Sequence, residues 1–228
     1  MGGTWDRLET INDFSGLQGT AIMGVNLTDL LMRTLMLFPV ILALGAGLVL
    51  DDALKALYDG GQTYATFLEE ADRRKAMWHA NTEKAGVPED LLDRANAMGG
   101  TWHLLAVAVD GCSDSANTIP YLAALTDAVD GLDLRIIDSR AGRALMNAHR
   151  TPDGRAATPT VLLLNAAFEE AGVFIERPAP LQEWATANRA DLTDDEYLTQ
   201  KFAWYDDDMG GTTMLEVIEL MEAAAAGE

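Results

Sequence analysis

Cys112 is the one thiol in a chain of 228 residues. No intramolecular disulfide can form, and any disulfide made here joins a second molecule or a small thiol. The plain reading of a lone cysteine is a small buried apolar residue, but the setting of this one points to chemistry. It stands in the polar segment Gly111-Cys112-Ser113-Asp114-Ser115, just after an apolar run at residues 104–109 and just before a helical pattern that starts at Ser113. At such a junction, free backbone N–H groups and the positive end of the helix dipole favour the thiolate, the nucleophilic form of sulfur. Ser115, three residues on, is placed to offer its hydroxyl to the sulfur across the first helical turn. Asp114 opposes thiolate formation unless it points away and caps the helix. Farther along, Thr158-Pro159 precedes a second apolar run at 160–164, where a proline fits as a first-strand residue or as a cis bond in a tight turn.

Other chemistries are poorly supplied. His79, His103 and His149 are the only imidazoles, and His103 falls at the far end of its strand from Cys112, so no metal site is expected and each His is read as a surface residue. No G-x-x-x-x-G-K loop and no G-x-S-x-G elbow occurs, which sets aside nucleotide binding and serine hydrolysis; no cofactor is expected. Sixteen basic residues against 36 acidic ones give a net charge of −20, which disfavours nucleic acid and anionic membrane surfaces as partners. The acids are spread along the chain, as on the solvated surface of a salt-adapted cytoplasmic protein, and lower stability at low ionic strength is expected.

The elements that must position these residues follow from hydrophobic period. A short helix near residues 51–58 is stopped by Asp59-Gly60-Gly61. Thr63 caps a longer helix carrying Tyr64, Phe67, Leu68, Ala71 and Trp78 on one face, and Pro88 opens a third that ends at Gly99-Gly100. The run 104–109 reads as a strand covered on both faces, residues 113–129 as a helix, and 132–137 as a second strand, which implies a right-handed parallel crossover. Ser139 is placed to cap a short helix through His149. Strands at 160–164 and 171–176 form a hairpin, and a helix at 181–188 covers the sheet. Thr193-Asp194-Asp195-Glu196 has the spacing of a capping box, a loop is expected at 206–211, and Met214, Val217, Ile218 and Met221 give the last helix an apolar stripe read as packing.

Residues 1–50 form a leader of different character. Positions 34–50 carry no charge, at the lower limit of a membrane span, but Pro39, Gly45 and Gly47 interrupt the pattern and acids rather than bases follow it. Three readings stay open: a single-span anchor, an upstream translation outside the mature protein with Val49 as an alternative start, and a docking helix. The expected compartment is the cytoplasm, or the membrane if residues 30–50 anchor the chain; a membrane partner is expected in that case alone.

Cys112 at a strand-to-helix junction, Ser115 three residues later, Pro120 inside the first long helix and Thr158-Pro159 before a strand together resemble the thioredoxin superfamily. More closely, VDGCSDSANTIPYLAAL, LDLRIID, ATPTVLLLN and the ERP at 176–178 resemble a little-characterised branch with a C-x-D-S active site. The resemblance implies an α/β fold, a thioredoxin-like mixed sheet flanked by helices over residues 100–190, with extra helices at 51–99 and 191–228. It implies a cis-proline at Pro159, catalytic positions at Cys112 and Ser115, and substrate contacts at Gly111, Asp114, Thr158 and Pro159. The usual second cysteine is Ser115 here, so a mixed disulfide has no internal thiol to resolve it. Monothiol exchange with a thiol- or disulfide-bearing protein or a low-molecular-weight thiol is one expectation. A binding or adaptor module that keeps the fold without turnover is the other.

Overall fold

The computed structural model describes residues 52–227; the leader and its three readings lie outside them. Strands β1 (Trp102–Val107), β2 (Leu132–Ile137), β3 (Thr160–Leu164) and β4 (Glu170–Ile175) form one sheet in the order β2-β1-β3-β4. Residues 52–59 are helical, and α1 (Tyr64–Glu70), α2 (Lys75–Lys84) and α3 (Glu89–Met98) precede the sheet. Helix α4 (Ser113–Ala128) joins β1 to β2, α5 (Arg143–Ala148) follows β2, and α6 (Ala179–Asn188), α7 (Asp194–Asp208) and α8 (Gly211–Gly227) complete the described chain. Strands β1 and β2 are parallel, whereas β3 runs antiparallel to both β1 and β4.

The continuous apolar run in β1 exists because both faces of the sheet are covered. Leu104 and Ala106 pack with Ile119, Leu122 and Leu125 of α4, while Leu105 and Val107 face the other way and pack with Met146 of α5. Leu104, Leu105, Leu162 and Leu164 are fully buried, each worth about 1.5–3 kcal/mol of apolar transfer. The stripe on α8 is packing as its period implied: Met214, Val217, Ile218 and Met221 are buried, and α8 lies against α3, α4 and β4. The turn from α7 into α8 needs Gly210, whose φ is +74° and whose missing Cβ would lie 2.1 Å from Cγ of Tyr121.

Four local expectations are corrected. The helix expected to run on from Thr63 is two helices, because Oδ2 of Asp110 takes the backbone N–H of Asp72 at 3.3 Å and of Arg73 at 2.9 Å, and Arg74 turns left-handed at φ 51°. Ser139 caps nothing: Asp138 accepts the N–H groups of Arg140 at 2.7 Å and Ala141 at 2.8 Å, and Gly142 is the N-cap of α5. Residues 206–208 belong to α7, which Met209 ends in a left-handed conformation. His103 is not a surface residue. It lies in β1, stacked on Phe168 at 4.4 Å, with Nδ1 at 3.1 Å from Oδ1 of Asp133; burial first, then Lys55 and Arg135, lower its pKa.

Candidate functional site

The chain leaves β1 in a turn closed by the N–H of Cys112 on the carbonyl of Val109, at 2.9 Å. Cys112 is the N-cap of α4, and its Sγ accepts the N–H of Ser115 at 3.4 Å. On its other side the thiol donates to the carbonyl of Thr158 at 3.1 Å, immediately before the cis bond between Thr158 and Pro159. The tertiary fold thus brings together Cys112 and Thr158, which lie 46 residues apart. Gly111, Cys112 and Thr158 are partly exposed residues, while Ser115 and Pro159 are buried. The two sulfur contacts act in opposite senses: the N–H stabilises negative charge on Sγ, and the carbonyl favours the protonated thiol.

Two neighbours depart from expectation. The hydroxyl of Ser115 makes no hydrogen bond to the sulfur; it is buried without a partner among the described residues, and the backbone N–H does that work. Asp114 does not cap the helix; its charge is matched by other groups instead. Its carboxylate is buried against Nζ of Lys201, at 3.1 and 3.2 Å, and the phenol of Tyr205, at 2.9 Å. Lys201 also donates to Oγ of Ser113 at 3.0 Å. Nη2 of Arg177 stands 3.6 Å from Asp114 and 2.6 Å from Glu176, and Glu176 receives two bonds from Arg155 at 3.0 and 2.9 Å. This network reaches the proline loop, because the Glu176 N–H donates to the carbonyl of Pro159 at 2.7 Å. Burial disfavours the charge on Arg177, yet Asp114 and Glu176 overcome it and raise its pKa. Burial first, then the Asp114 charge, pushes the Tyr205 phenol well up.

The broken helix supplies the other wall. Arg74 donates from Nε to the carbonyl of Gly111 at 2.8 Å, and the Trp78 indole donates to the carbonyl of Asp110 at 2.9 Å. The guanidinium of Arg73 pairs with Asp110 and would lie 2.7 Å from any Cβ at Gly111, so glycine there leaves room for the arginine. The backbone N–H of Arg73 is the chief cause of a lowered pKa at Asp110. In the sequence, Trp78 stood out as an inward-facing residue and Glu176 and Arg177 as part of the ERP string, but none of these partners was read as a contact of the cysteine turn. One signal existed for Lys201: it is the only basic residue after Arg189, in an otherwise strongly acidic stretch.

Among the described residues no group of three or more His, Cys, Asp or Glu is placed to hold a metal ion, and no helix is long and apolar enough to cross a membrane.

No curated protein matches the chain. Among solved structures, a protein of unknown function from Pseudomonas aeruginosa is similar at 21% identity and a TM-score of 0.60, over 74% of this chain and 96% of that one. An HIV epitope-scaffold is similar at 22% identity and a TM-score of 0.58, with the same coverage; at these identities the likeness concerns the fold. The family model described as Thioredoxin matches residues 61–193. That span is more than half of the chain and contains the cysteine turn, the proline loop and the whole sheet, and on this match the chain belongs to the thioredoxin family.

Proposed function

We propose that this protein performs monothiol exchange through Cys112. The observation that carries the reading is the placement of the sulfur of a partly exposed cysteine between the Ser115 N–H, at 3.4 Å, and the Thr158 carbonyl, at 3.1 Å. In the forward step Cys112 loses its proton to solvent and attacks one sulfur of a disulfide R–S–S–R. A bond forms from Sγ to that sulfur, the S–S bond breaks, and the departing thiolate takes up a proton as R–SH. With no second cysteine in the chain, an external thiol reverses the chemistry and frees Cys112. Thr158 and Pro159 supply the backbone against which the bound partner rests, and Gly111 leaves room for the Arg73 guanidinium beside it.

Intact mass spectrometry of the full chain with bis(2-hydroxyethyl) disulfide tests this. A single adduct on Cys112, released by added thiol and absent from Cys112→Ser, is the expected result. The alternative is a binding module with the same groove, favoured by the buried, unpartnered hydroxyl at Ser115 where exchange proteins of the family place a second thiol. Failure to form the adduct under conditions where free cysteine does so establishes that alternative over exchange.

A further inference from the structure

Helices α4 and α5 lie on opposite faces of the sheet, so the chain leaves β1 toward one face and β2 toward the other. In open α/β sheets the gap between two such carboxyl ends is where ligands seat. Here it is a crevice of about 510 Å³ lined by Phe67 and Arg73 on one side, Asp110 beneath, and Asp138, Arg140 and Arg143 opposite. Its carboxylates already have donors. Asp110 holds the backbone of residues 72 and 73 and the Arg73 guanidinium, Asp138 accepts two backbone N–H groups, and Glu70 accepts the amide of Gln62 at 2.6 Å. Among the described residues, Arg140 and Arg143 have no side-chain carboxylate within salt-bridge distance. Two guanidiniums without an ion pair, Arg140 being matched only by the more distant charge of Asp138, line one cavity of a chain with 16 basic and 36 acidic residues. Guanidinium is the side-chain group best shaped to grip a carboxylate. The crevice also shares a wall with the nucleophile's turn: Asp110 is two residues before Cys112, and Arg73 lies against Gly111.

We infer that this crevice seats the carboxylate end of a low-molecular-weight thiol or its disulfide while the sulfur end reaches Cys112. Arg140 and Arg143 hold the carboxylate, and Phe67 and Ala71 border the aliphatic stem. The inference rests on the exchange reading and names the substrate class for it.

The test compares mixed-disulfide formation by the full chain with three small disulfides: 3,3′-dithiodipropionate, which is anionic, bis(2-hydroxyethyl) disulfide, which is neutral, and cystamine, which is cationic. The field of a protein at −20 acting alone ranks them cation, neutral, anion. The crevice reverses the lower half of that order, with the anion faster than the neutral disulfide by about fivefold, the scale of two exposed charge pairs. Arg140→Gln with Arg143→Gln abolishes this preference, whereas Arg150→Gln, a charge removed elsewhere, retains it. If the neutral disulfide reacts and the anion is slower, the crevice assignment is overturned while exchange through Cys112 stands. If none of the three forms an adduct, the exchange reading falls and takes the assignment with it.

Discussion

Removal of the Lys201 ammonium is the sharpest probe of how the cysteine turn is held. Its side chain is 5% exposed and that of Asp114 is 10% exposed, so in Lys201→Met a carboxylate stays in the interior without its nearest cation. Breaking a buried pair from one side costs about 3–5 kcal/mol. Asp114 keeps the Tyr205 hydroxyl at 2.9 Å and Arg177 at 3.6 Å, which places the expected loss near the lower end, about 3 kcal/mol. For a domain of this size that lowers the unfolding midpoint by about 6–12 °C. Urea unfolding of the full chain at pH 7 and fixed salt measures the loss. The double variant Asp114→Asn with Lys201→Met removes both charges, so it is expected to lose less than the sum of the two single variants by at least about 1.5 kcal/mol. A single variant within about 0.5 kcal/mol of the parent, or strict additivity in the cycle, would falsify the claim that this pair fastens α7 to the first turn of α4.

Two further outcomes are expected. The Asp110 carboxyl has a lowered pKa in the folded chain, so its stabilisation is complete above the unfolded carboxylate value and is lost as pH falls through the folded one. Asp110→Asn is therefore less stable than the parent at pH 7, and acid titration followed by circular dichroism closes the gap below the ordinary carboxylate range; a gap independent of pH refutes the assignment. Self-repulsion at −20 is screened as the Debye length shrinks from about 10 Å at 0.1 M salt to about 3 Å at 1 M. The thermal midpoint in potassium chloride is expected to rise by more than about 4 °C over that range, and a midpoint indifferent to salt removes surface repulsion as a factor.

The sequence by itself determined the order of the strands and of most helices, and the place of the cysteine. β2 and β3 have their expected bounds: the five residues of β3 are all buried, as a short apolar run covered on both faces must be, whereas β2 alternates buried Leu132, Leu134 and Ile136 with the more exposed Asp133 and Arg135. The capping box at Thr193 is present because both of its bonds lie within four residues. The position of Cys112 at a strand-to-helix junction was legible for the same reason: the change of hydrophobic period on either side of it is local. Tertiary structure alone decided which charges meet. Residues 71–74 read as helix until the Asp110 carboxylate, nearly forty residues away, takes the N–H groups of residues 72 and 73. Asp114 reads as a charge beside the sulfur until Lys201, 87 residues on, draws it inward. Hydrophobic period is written along the chain, whereas an ion pair or a cap made from afar depends on where the folded sheet and helices set distant backbones side by side.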